Sequence, residues 1–197
     1  MKRNPVLLVH GIFRKKTVFN RMSVYLSALG WEVHSFDLKP SNARLGLDKL
    51  AEQISAYVTH HFAPNQPIDL VGLSMGGLVS RYYVQRLGGS ERVKRFVTIA
   101  SPHYGTWLAY TLPFIGCVQM RPGSAFLQDL NRDIEILSKV NFTSIWTAYD
   151  FVIVPAQNSR LGVGQEIKLR VFAHAMMVRD KKTLQALAQA LSLPISN

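Results

Sequence analysis

Apolar residues along the chain keep two alternating rhythms. Pro5 to Val9 is an unbroken apolar run, the pattern of a strand covered on both faces. Val18, Met22, Tyr25, Leu26 and Leu29 then recur at helical spacing, and Gly30 stands where a C-capping glycine belongs. Trp31 to Leu38 alternates toward a second strand. Leu47, Leu50, Ile54, Tyr57 and Val58 mark an amphipathic helix that Pro64 ends. Ile68 to Leu73 predicts a third strand, with a helix after it to about Leu87, stopped by Gly88-Gly89. Val93 to Ala100, Phe142 to Ala148 and Ile167 to Ala173 read as strands four to six. A last helix runs from about Lys181 to Leu191. Strands alternating with helices predict one α/β domain over residues 1–197. Its central sheet is mostly parallel, of about six strands, with helices on both faces. Such sheets carry their chemistry at the carboxyl ends of the strands.

One interval breaks the rhythm. Between the fourth and fifth strands, a helix from roughly Ser124 to Lys139 accounts for only part of the chain. The remainder, about residues 104–120, carries Trp107, Leu108, Tyr110, Leu112, Phe114, Ile115 and Val118 and no charge. Long connections of this kind are functional covers or binding loops in many compact domains. Trp107, Leu112 and Phe114 are the residues expected to meet substrate there. Core packing with one exposed loop is the competing expectation.

At the third strand the pattern meets Gly72-x-Ser74-x-Gly76, the spacing of a nucleophile elbow. An apolar strand before the motif and a helix after it are the context that gives the spacing meaning. A serine raised on such a turn needs a base and a group to orient that base. Of the six histidines, His174 follows the last strand at its carboxyl end, and His103 is its main rival. His34 lies within a strand and His60-His61 at a helix end. Asp150 follows the fifth strand, between Ser74 and His174 in chain order, and Phe151 with Val152, Ile153 and Val154 is expected to shield it. Asp37 is a second acid within reach, whereas Asp69 enters its strand at the wrong end. Asp129, Asp133 and Glu135 read as solvated charges. Oxyanion donors are expected at the backbone N–H of Met75 and of Ile12, with His10 supporting the loop.

The segments Val9-His10-Gly11, Gly72-Leu73-Ser74-Met75-Gly76-Gly77, Ser101-Pro102-His103-x-Gly105-Thr106, Ala148-x-Asp150 and His174 resemble the α/β-hydrolase superfamily. More narrowly they are similar to the small bacterial class 2 lipases and esterases of the Bacillus minimal-lipase type. That resemblance implies a carboxylic ester hydrolase of lipid metabolism that uses Ser74, Asp150 and His174 through an acyl-enzyme. No metal or cofactor enters that chemistry. A thioesterase or acyltransferase on the same triad is the alternative.

Composition changes this picture in two places. Of 197 residues 48% are hydrophobic, enough to order a sizeable core, and Cys117 is the lone cysteine, which excludes an intrachain disulfide framework. The five-residue apolar run before His10-Gly11 is shorter than the core of a secretory signal, and no run approaches a membrane span. A cytoplasmic chain without a transmembrane segment is expected. Charge is the second place: 23 Lys and Arg against 12 Asp and Glu give +11. That balance invites acidic partners. The basic residues are scattered without a nucleic-acid motif, so a silent basic binding module is the weaker reading and no nucleic-acid partner is expected. Arg14, Lys15, Lys16 and Arg121 are expected to flank the active-site mouth and favour an anionic membrane surface or an anionic substrate group. Arg92, Lys94 and Arg95 fall at the opposite end as solvated charge.

Overall fold

A computed structural model describes residues 3–195. Six strands form one sheet: β1 (Val6–Val9), β2 (Val33–Ser35), β3 (Ile68–Leu73), β4 (Val93–Ile99), β5 (Asn141–Thr147) and β6 (Gln165–Leu169). Their order is β2-β1-β3-β4-β5-β6, and every pairing is parallel. Seven α-helices accompany them: α1 (Asn20–Ala28), α2 (Leu47–His61), α3 (Met75–Arg86), α4 (Gly89–Arg92), α5 (Ile115–Gln119), α6 (Ala125–Arg132) and α7 (Lys181–Ala190).

The continuous apolar strands are explained by burial on two sides. Leu7, Val9, Leu70 and Phe96 pack beneath α2 and α3 with Leu50, Ile54 and Leu78. The alternate residues Val6, Leu8, Val71, Val97 and Ile99 face α1 and α7 with Met22, Leu26, Leu184 and Leu187. Period-two alternation of the strands therefore feeds two separate cores. The edge strands differ, because β2 is Val-His-Ser and β6 is Gln-Glu-Ile-Lys-Leu. Polar residues at sheet edges discourage further pairing. β2 is shorter than the expected 31–38, and β6 begins two residues earlier and ends four earlier than the expected 167–173.

The region expected as one helix from Ser124 to Lys139 is divided. α6 ends at Arg132, and a 3-10 segment covers Ile134–Lys139. Asp129 and Asp133, with side chains 42% and 40% exposed, are paired rather than free charges. Arg86 on α3 holds Asp129 Oδ2 at 2.9 Å and Asp133 Oδ2 at 2.7 Å, which ties α6 to the helix behind the elbow. Arg95 is likewise paired. It reaches the fully buried Asp69 at 3.1 Å and Leu193 O at 2.8 Å. Burial lifts the Asp69 carboxyl to about 6 despite Asn4 and Arg95 beside it. Among the described residues, no helix is long and apolar enough to cross a membrane.

The chain leaves β1 toward β2 on one side and returns to β3 on the other. The loops after β1 and β3 therefore diverge, opening a crevice at the carboxyl edge where doubly wound sheets bind ligands. Register places Val9, the last residue of β1, beside Gly72.

Candidate active site

Ser74 is the hinge between β3 and α3, with φ 54° and ψ −124°, a backbone conformation that L-residues rarely adopt. The flanking glycines are required by space. A Cβ on Gly76 would enter the carbonyl oxygen of Val9, and one on Gly72 would enter the backbone of Gly77. On the other wall, a Cβ on Gly11 would stand 3.0 Å from Ser74 Cβ, so the loop after β1 closes on the serine as glycine alone permits.

His174 lies five residues beyond the end of β6, in a 3-10 turn, and Ala173 before it has φ 76° and ψ 143°. Its Nδ1 is 2.7 Å from Asp150 Oδ2. Asp150 is buried, and its other oxygen accepts the N–H groups of Val152 at 2.8 Å and Ile153 at 2.9 Å. Both carboxylate oxygens are thus engaged, and the imidazole edge toward the cavity stays free of Asp150. Of the residues expected to shield it, Phe151 is 77% exposed and does not, whereas Ile153 is buried. The run also serves through its backbone donors.

His103 is fully buried, with Nε2 at 3.0 Å from Thr98 Oγ1, and does not reach the cavity. Burial beside Arg81 pushes its pKa well below the ordinary value. His10 is held at both nitrogens, Nδ1 donating to Gly11 O at 2.9 Å and Nε2 accepting from Leu38 N–H at 2.9 Å. That arrangement fixes the neutral tautomer and stiffens the Gly11 loop. Burial lowers its pKa further. Asp37 accepts the N–H of Lys16 at 2.6 Å and is not part of the cavity wall.

Ser74 and His174 share the wall of one cavity of about 530 Å³ with Gly11 and Ile12. That volume is in the range of small-molecule sites. Met75 opens α3, so its N–H has no acceptor within the helix. Its side chain points into the core.

The stretch 104–120 forms a 3-10 turn, Trp107–Thr111, followed by α5. Leu112 lines the cavity with Leu108, Ala109 and Thr111. Trp107 does not line it: the indole is 59% exposed and stacks on Tyr110 with ring centroids 5.5 Å apart. Phe114 does not either, packing against the core on the α2 side. Sequence reasoning missed Thr106, whose hydroxyl donates to Val152 O at 2.7 Å and accepts from Val154 N–H at 3.0 Å. This side chain, with the Trp107 N–H to Val154 O bond, ties the 104–120 stretch to the Asp150 loop. Its only signal was its place in Ser-Pro-His-x-Gly-Thr.

Of the basic residues expected at the mouth, Arg14 lines the cavity, while Lys15 and Lys16 are exposed beside it. Arg121 turns inward to Leu112 O at 3.3 Å and the Tyr110 ring at 4.8 Å, bracing the 104–120 stretch. Arg179, unremarked in the sequence, lines the cavity. No group of three or more His, Cys, Asp or Glu able to hold a metal occurs among the described residues.

Residues 5–160 match the sequence model of the palmitoyl protein thioesterase family, a span that includes the Gly11 loop, the elbow and Asp150 and stops before His174. Among solved structures, the mature form of a Bacillus licheniformis lipase aligns with TM-score 0.78 and 15% identity, over 98% of this chain and 93% of that one. Aspergillus fumigatus lipase B gives 0.79 and 17%, over 98% of this chain and 54% of its own, so this chain spans about half of that protein. A pyrethroid hydrolase from Sphingobium faniae gives 0.66 and 13%, over 98% of both chains. These likenesses carry the lipase- and esterase-like α/β-hydrolase fold. By fold the chain is an α/β-hydrolase, and by sequence it belongs to the palmitoyl protein thioesterase family.

Proposed function

We propose that the protein hydrolyses carboxylic esters by two-step acyl transfer from Ser74. The observation that carries this reading is a strained serine and a carboxylate-held histidine on the wall of one largely apolar cavity. His174 Nε2 takes the Ser74 proton as Oγ bonds to the acyl carbon. The N–H groups of Ile12 and Met75 hold the oxyanion. Asp150 keeps the proton on Nδ1 and stabilises the imidazolium. Collapse breaks the bond to the leaving group, which departs with the proton from His174. Water then repeats the sequence and releases the acid. Residues 104–120 cover the acyl chain from Leu108 to Leu112.

Thioester hydrolysis is the second reading, favoured by the family match over residues 5–160. A thiol leaving group, with pKa near 8.5 against far higher values for alcohols, asks less of His174 at expulsion. Oxygen esters and thioesters of matched chain length decide between the two, and an alcohol acceptor added to the assay reveals transfer in place of hydrolysis. Fluorophosphonate should label Ser74. Ser74→Ala and His174→Ala should each lose several orders of magnitude in kcat. Near-normal turnover by Ser74→Ala would falsify the assignment.

A further inference from the structure

The cavity beside Ser74 is built from both cores. Ala109, Leu112, Cys117 and Met120 belong to its wall and pack with the α2 and α3 side of the sheet. Val18 and Val178 also line it and pack with the α1 and α7 side. The cavity therefore crosses the carboxyl edge of the sheet, with the serine at the crest. Its wall also carries charge. Leu108, Ala109 and Leu112 give the wall from residues 104–120 a largely apolar face, and Arg14 and Arg179 line the same cavity, one after β1 and one five residues past His174. Neither guanidinium has a hydrogen-bond or ion-pair partner among the described residues. Arg86, Arg95 and Arg160, by contrast, are each paired with a carboxylate. Two unpaired guanidinium groups flanking a reactive serine form a seat for an anion, and their planar donor forks suit phosphate oxygens.

Resting on the acyl-transfer reading, we infer that Arg14 and Arg179 bind a phosphoryl group on the leaving-group half of the substrate, while the acyl chain lies under the cover. The substrate class is an acyl ester or thioester whose alcohol or thiol carries a phosphate monoester or diester. Two sources offer that chemistry: a phosphorylated pantetheine thiol and a glycerophosphate headgroup.

The experiment compares kcat/KM within two pairs of equal acyl length. One pair is decanoyl-pantetheine 4′-phosphate against decanoyl-pantetheine, and the other is decanoyl-glycerol 3-phosphate against decanoylglycerol. Preference for the phosphate-bearing member of the first pair assigns the thiol, and preference within the second assigns the lipid headgroup. Arg14→Gln and Arg179→Gln should each lower that preference about tenfold, the usual weight of a charge-assisted hydrogen bond. Lys15→Gln, beside the cavity and outside its wall, should lower it less than twofold. Two results overturn the inference: no preference in either pair, or an equal loss in the Lys15 variant, which marks a diffuse field. Glycerol 3-phosphate binding to the Ser74→Ala protein, measured by calorimetry, reads the seat without turnover. Arginine-dependent binding in a protein that hydrolyses none of the four substrates would sink the acyl-transfer reading and keep the anion seat. Turnover without phosphate preference would do the reverse.

Discussion

Replacing Ser74 by glycine should make the protein more stable while abolishing turnover. The residue holds φ 54° and ψ −124° at the tip of the elbow and is 8% exposed. A non-glycine residue in such a region carries about 1–3 kcal/mol of strain. Glycine removes the strain but restores about 0.4–1 kcal/mol of backbone freedom to the unfolded chain. The balance is a gain of about 1–2 kcal/mol, or a Tm higher by about 3–6 °C for a domain of this size. Ser74→Ala is the necessary comparator, because alanine loses the same hydroxyl and keeps the Cβ. Thermal unfolding followed by circular dichroism on the three proteins reads the difference between glycine and alanine, which is the strain less the unfolded-state freedom of glycine. If Ser74→Gly melts no higher than Ser74→Ala, the elbow stores no usable strain and the reasoning fails.

Acid should destabilise the fold first through His10 and His103. Both are held below the ordinary 6.5 by burial, so they contribute nothing above that pH and cost stability as pH falls below it. The unfolded chain then binds protons that the folded chain refuses, at up to about 1.4 kcal/mol per pH unit for each. Asp69, raised to about 6 from 3.8, opposes this between pH 6 and 4, so Asp69→Asn should steepen the loss in urea titrations at pH 7 and 5. A fold equally stable at both pH values would contradict this. Arg95→Leu, which leaves Asp69 buried beside Asn4 alone, should cost about 3–5 kcal/mol, and the Asp69→Leu, Arg95→Leu double variant distinctly less. Leu112→Ala should reduce kcat/KM for long acyl chains more than for short ones, whereas Trp107→Ala should not discriminate by length; equal loss in Leu112→Ala would make the cover ordinary packing. Phe13, Phe151 and Phe172 are 57%, 77% and 71% exposed, and their alanine variants should bind anionic vesicles more weakly in sedimentation.

Much of this was readable in the sequence because it depends on local rules. Val6–Val9 and Ile68–Leu73 are apolar without interruption because two helical layers cover them, and the Gly72-x-Ser74-x-Gly76 spacing follows from collisions with Val9 and Gly77. His174 could be chosen over His103 by chain order, though burial is what disqualifies His103. What stayed hidden depends on distant partners. Nothing adjacent to Asp129 or Asp133 signals Arg86, and nothing adjacent to Asp69 signals Arg95. Phe114 and Trp107 were assigned to the cover on composition, which cannot tell a side chain facing the cavity from one facing the core or water. β6 was placed too late because its polar edge residues, Gln165 and Glu166, do not look like a strand.

The three groups proposed for acyl transfer are anchored unequally. Ser74 is fixed by β3 and by α3, which is buried along most of its length between the sheet, α2 and α6. His174 hangs from a turn past an exposed edge strand, and Asp150 from a loop tied across by Thr106. Opening of the β6 edge needs far less disruption than opening of the centre. Under mild denaturant or heat, the reacting constellation should therefore come apart as a local event while hydrogen exchange at β3 and α3 is still fully protected. Loss of turnover should then precede loss of the fold, as two separate transitions on heating.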